Sequence, residues 1–131
     1  MSDEKVLERG LALVQSLHKR TREGRVDWQD RGDTRSFRTD IGDFDLIIRQ
    51  VPDPDYPDEP NYSLEVVEKG SGRVLEAISN ATLRPVMDRK TAEGLSPYAV
   101  LDDTFQMARR KALKIDDVLE NILHQLQGPG A

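Results

Sequence analysis

The chain has 131 residues, with 19 Lys and Arg against 24 Asp and Glu and a formal net charge of −5. That length suits one domain, 1–131, large enough to bury a core without metal or disulfide staples. The absence of cysteine excludes disulfide frameworks, thiolate zinc sites and thiol nucleophiles, and the acidic balance disfavours a general affinity for nucleic acid.

The opening stretch MSDEKVLERG carries acids and no apolar core, unlike a secretory signal. No apolar run reaches the length of a bilayer span. The expectation is a soluble, cytoplasmic protein. Hydrophobic residues make up 37% of the chain and charged residues 33%, which suits a two-layer fold with one wetted face.

Residues 3 to about 22 read as a helix capped by Ser2 or Asp3. Its apolar stripe is Val6, Leu7, Leu11, Val14 and Leu17, and its last turn is basic. Gly10 lies on the same side and marks close helix packing. Gly24 ends the helix. From Arg35 the period changes to two: Phe37, Thr39 and Ile41 form one run, and Phe44, Leu46 and Ile48 a second. Gly42-Asp43 between them suits a type II′ hairpin turn. Tyr62, Leu64 and Val66 alternate in a third strand, and Gly70-Ser71-Gly72 turns the chain into a fourth over 73–79. The stretch around Trp28 adds a possible fifth. The economical fold is α+β: an N-terminal helix, a four- or five-stranded antiparallel meander, and a C-terminal helix or helix pair packed on one sheet face.

Residues 52–60 hold four prolines among acidic residues, so they form an extended loop rather than a strand or helix. Residues 80–95 show no period and read as irregular. Ser96-Pro97 is a helix start, serine as cap and proline at the first position. Leu101, Phe105, Ala108, Ala112, Ile115, Leu119, Ile122 and Leu126 then follow in steps of four and three. One helix through that register would run roughly 45 Å. Asp116 also suits the cap of a new helix, so 97–127 fit one helix or a pair. Residues 127–131 read as a frayed tail.

Three stretches, Arg20-Thr-Arg-Glu-Gly-Arg-Val-Asp-Trp28, Tyr62-Ser-Leu-Glu65 and Ala108-Arg-Arg-Lys-Ala-Leu113 with the following Ile115-Asp-Asp-Val-Leu119, resemble those of small uncharacterised bacterial proteins. The resemblance runs from residue 17 onward and implies a bacterial origin. It carries no catalytic or binding residue. Its members often place glycine where this chain has Lys114, which favours a helix break there.

Catalytic chemistry finds little support. There is no G-x-S-x-G, phosphate-binding loop or G-x-G-x-x-G, and the Gly70-Ser71-Gly72 turn lacks the strand-to-helix context and lysine. Asp53, Asp55, Asp58 and Glu59 offer oxygen ligands, but not at the spacing of a calcium loop. Asp40, Asp43 and Asp45 surround a turn whose chemistry they suit. His18 and His124 lie near helix ends, where the helix dipole favours them. No catalytic, cofactor or metal residue is assigned, and the chain is expected not to be an enzyme.

Two surfaces remain. Lys19, Arg20, Arg22 and Arg25 beside Trp28 are candidate nucleic-acid contacts, cations with an aromatic platform. On the sheet's outer face, Ile47, Val51 and Val67 stand where polar residues are expected, a candidate partner surface. The strand edges offer main-chain pairing as another route. The leading expectation is a protein-interaction module with a protein partner or a second copy, to which the heptad-spaced C-terminal stripe also contributes. The alternative is a nucleic-acid-binding regulator using the Lys19–Arg25 cluster. A metal-dependent hydrolase built on the aspartates is a third reading.

Overall fold

A computed structural model describes residues 2–128. Residues 129–131 of the expected tail, and the side chains of Ser2 and Asp3 expected to cap the first helix, lie outside the described residues. The elements in chain order are α1 (Ser2–Arg22), β1 (Gln29–Asp30), β2 (Ser36–Ile41), β3 (Phe44–Val51), β4 (Asn61–Glu68), β5 (Val74–Ser79), α2 (Pro97–Ala112) and α3 (Ile115–Leu126). A short 3-10 turn at Arg84–Val86 interrupts the otherwise irregular stretch before α2. The fold is α+β, as the change of period implies.

The five strands form an open antiparallel meander in the order β1-β2-β3-β4-β5. Gly42 turns β2 into β3 at φ 58°, so that Ile41 faces Phe44. The strand near Trp28 is real but only two residues long. At the other edge, the register slips between Val66 and Val67 and leaves Leu75 without a partner on β4. A very short strand at one edge and a bulged one at the other blunt both edges against further pairing.

Alternation sends Phe37, Leu46, Ile48, Tyr62, Leu64 and Ile78 to one face, where α1 and α2 cover them. Phe105 of α2 sits at the centre, 5.5 Å from the rings of both Phe37 and Tyr62. Such offset aromatic contacts add to the area they bury. Gly10 explains how α1 approaches the sheet. A Cβ there would stand 3.5 Å from Ile78, so the helix lies directly on β5.

The helix ends follow from local chemistry. At the end of α1, Gly24 takes φ 74° and its N–H donates to Thr21 C=O at 3.0 Å. Arg25 N–H reaches Arg20 C=O at 2.9 Å, which completes a Schellman cap. Ser96 Oγ accepts the Ala99 N–H at 3.2 Å, and Pro97 opens α2.

The C-terminal register breaks into two helices. Lys114 adopts a left-handed conformation, φ 53° and ψ 46°, and the chain turns there. Its carbonyl nevertheless accepts the Val118 N–H at 3.0 Å and starts α3. Spacing alone cannot register this break, because the four-three step continues across it. Of the pair, α2 packs on the sheet, whereas α3 contributes no buried residue.

Candidate protein-interaction surface

The outer sheet face carries charges that pair across strands. Arg38 reaches Asp40 at 2.7 Å and Asp45 at 3.1 Å, Lys69 reaches Asp40 at 3.4 Å, and Arg49 reaches Glu65 at 3.1 Å. A hydrogen bond with Asp45, with Arg38 and Lys69 alongside, holds the Asp40 carboxyl below its ordinary range. Ile47 lies between Arg38 and Glu65 in the pairing register. Alternation puts Ile47 and Val67 on this face as expected, yet they are only 6% and 8% exposed. Long charged side chains cover apolar neighbours with their stems. Only Val51, 41% exposed at the end of β3, offers appreciable surface.

The basic cluster divides around the end of α1. Lys19 and Arg22 line one hollow with Lys90, while Arg20 and Arg25 line another on the sheet side. Arg22 pairs with Glu93 at 3.1 Å. Trp28 is 2% exposed and donates its Nε1–H to Thr21 Oγ1 at 3.2 Å. An indole buried in this way does not present a stacking face to a base.

Titratable groups inside the fold are hydrogen-bonded. His18 is buried, with Nε2 2.7 Å from Asp103 Oδ2. Tyr62 donates its O–H to Asp102 and accepts from Gln50 Nε2. Burial, reinforced by Asp102, pushes the Tyr62 phenol up to about 12. No buried side-chain nitrogen or oxygen lacks a partner among the described residues. Nor do three His, Asp or Glu side chains gather there to hold a metal ion.

The distinctive surface is α3. Its last turn carries His124, and Asp116 and Asp117 occupy its first, consistent with the helix dipole. Val118, Leu119, Ile122, Leu123 and Leu126 are 46–69% exposed. At 100° per residue these five share one face with Ile115. Together they present on the order of 400 Å² of apolar surface, the scale at which a patch on a monomer commonly marks an interaction site. The sequence register included Leu119, Ile122 and Leu126, but spacing did not reveal that they lie outside the core. Val118 and Leu123 widen the stripe beyond a narrow heptad seam.

A second apolar feature lies at the other end of the domain. Between α1 and β5 runs a groove of about 570 Å³, walled by Val6 and Leu13 and floored by Val66 and Ile78. Gly10 opens it, because no side chain fills the space beside Ile78. Arg9 and Glu76 stand among the lining residues on the helix and strand sides respectively. Val6 is more than half exposed.

Among the described residues, no helix is long and apolar enough to cross a membrane. Compared with protein-family models, curated proteins and solved structures, the chain matches none.

Proposed function

We propose that this chain is a non-enzymatic protein-interaction module and that α3 is its contact element. The observation carrying the reading is the apolar face of α3, which the described residues leave without a single buried side chain. A helix of about 18 Å has few turns to support itself in water and gains most of its stability from packing its apolar face. A partner that accepts this face removes apolar surface from water at roughly 25 cal/mol per Å².

This assignment moves the proposed contact away from Ile47 and Val67, whose apolar atoms are already covered, and leaves Val51 at the margin. The nucleic-acid alternative has less support. Its cations divide between two sides of α1, its aromatic residue is buried, and the chain is acidic overall.

The test replaces Leu119 and Leu123 together with lysine. Both are about half exposed, so the fold is expected to survive with an unchanged thermal transition in dilute solution. Chemical cross-linking in a native extract is expected to give α3-dependent adducts with the wild-type chain that the variant loses. Identical adducts for both chains contradict α3 as the contact element.

A further inference from the structure

We infer that the partner of α3 is a second copy of this chain, and that two copies exchange their α3 helices, each laid into the other's α1–β5 groove. This inference rests on the reading of α3 as the contact element and goes further by naming its receptor. Three observations lead to it: placement, charge and size.

Placement comes first. α2 starts beside β4, where Tyr98 O–H donates to Pro60 C=O at 2.7 Å and its ring meets that of Tyr62 at 5.7 Å. It then crosses the sheet, packs Phe105 on Phe37 of β2, and continues to β1. α3 therefore begins at the β1–β2 side, whereas the groove lies along β5. The two edges of a five-stranded sheet are roughly 19 Å apart at about 4.8 Å per strand. With α1 and α2 occupying the intervening face, the link Leu113–Lys114 is too short to return α3 to its own groove. An apolar helix and an apolar groove at opposite edges satisfy each other only between copies. When each copy gives its helix and receives the other's, the arrangement closes as a two-fold dimer.

Charge sets the orientation. On the helical wheel the apolar face of α3 has Asp116, already paired with Arg110, and Glu120 along one flank, and Asn121 and Gln125 along the other, so Glu120 is the carboxylate left to meet a cation. The groove has a matching asymmetry, with Arg9 on its helix wall and Glu76 on its strand wall. Glu8, next to Arg9, is already paired with Arg89 at 2.8 Å, and Arg9 joins no ion pair among the described residues. Docked with its acidic flank toward α1, α3 meets Arg9 with a carboxylate and Glu76 with neutral amides. The reversed placement sets carboxylates against Glu76. Complementary charge of this kind fixes register and excludes the wrong orientation.

Size is sufficient. A 12-residue helix seated in a groove buries on the order of 600–800 Å² counted over both surfaces, and two such contacts approach the roughly 1,200–2,000 Å² of a stable interface.

Sedimentation velocity over a concentration series tests this with two variants. Leu119→Lys with Leu123→Lys spoils the helix and leaves the groove. Gly10→Leu fills the groove and leaves the helix. The fold tolerates a Cβ at Gly10 at ordinary contact distance, and Gly10→Ala checks that the position accepts substitution. The wild type is expected to reach twice the monomer mass. Each variant alone is expected to weaken dimerisation by about 1,000-fold or more, since each spoils both contacts of its own homodimer, the helix variant by removing apolar side chains and the groove variant by blocking their seat. An equimolar mixture of the two variants regains a dimer with one of its two exchanges intact. A dimer lost only in the helix variant overturns the groove as receptor while α3 keeps its role. A wild type that stays monomeric overturns the exchange; the cross-linking comparison above then decides whether α3 contacts a different protein or none.

Discussion

Asp33 organises the turn between β1 and β2 with one carboxylate. Its Oδ1 accepts the N–H groups of Arg35 at 3.0 Å and Ser36 at 2.9 Å, and Oδ2 accepts the Ser36 hydroxyl at 2.7 Å. These bonds favour the ionised form, and the Ser36 hydroxyl chiefly holds the carboxyl below its ordinary 3.8. A folded value below the unfolded one contributes stability above pH 4 that is lost as pH falls through the folded value. Asp33→Asn is therefore expected to lose less thermal stability than the wild type between pH 5 and pH 2. An equal loss in both chains contradicts the assignment. Tyr62 works at the opposite end of the scale. Its phenol is raised to about 12 in the fold, so the unfolded chain ionises first and stability falls as pH rises past about 10. Tyr62→Phe is expected to flatten that alkaline decline in thermal melts. Its cost at neutral pH is about 1 kcal/mol, because Asp102 is partly exposed and water can replace the lost donor. Lys114 holds a conformation that glycine adopts without a Cβ clash. Lys114→Gly is expected to raise unfolding stability by about 0.5–1 kcal/mol in urea titration.

At the scale of elements, the two C-terminal helices share one hydrophobic register and differ in everything that packing decides. Phe105 on α2 fills the centre of the core, whereas Leu119 on α3 touches no comparable surface. Phe105→Ala is expected to cost about 3–5 kcal/mol and Leu119→Ala less than about 0.5 kcal/mol in dilute solution, measured by chemical denaturation. Similar costs at both positions contradict the separation of α3 from the core. The strands, the Gly42 turn and the Ser96-Pro97 start were legible because alternation, turn glycine and cap chemistry act over a few residues. The helix break was only partly legible. Asp116 and the resemblance at Lys114 suggested it, but left-handed lysine is an outcome that local propensity opposes. The groove was not legible: Gly10, which lacks a side chain, pointed to close helix packing and not to an open space beside Ile78. Cover over Ile47 and Val67 was not legible at all, because it depends on cross-strand neighbours, Arg38 and Glu65 beside Ile47 and Asp45 and Val74 beside Val67.

For the whole molecule, the distribution of apolar surface is the central fact. Helices α1 and α2 cover the centre of the core face, the outer face is laced with ion pairs, and both sheet edges are blunted. Among the described residues the longest run of exposed apolar side chains is on α3, others stand singly or in pairs at Ile41, Phe44, Val51, Tyr56, Val74 and Leu75, and an apolar groove lies between α1 and β5. The proposed exchange rests on the α3 run and the groove, two features at opposite ends. Hydrogen exchange of the backbone amides, followed as protein concentration rises, reads the outcome directly at both surfaces. Protection that grows with concentration at residues 118–126 and around Val6 to Leu13, with β3 unchanged, is the result this account predicts. Protection of α3 that stays the same across the dilution series would contradict it.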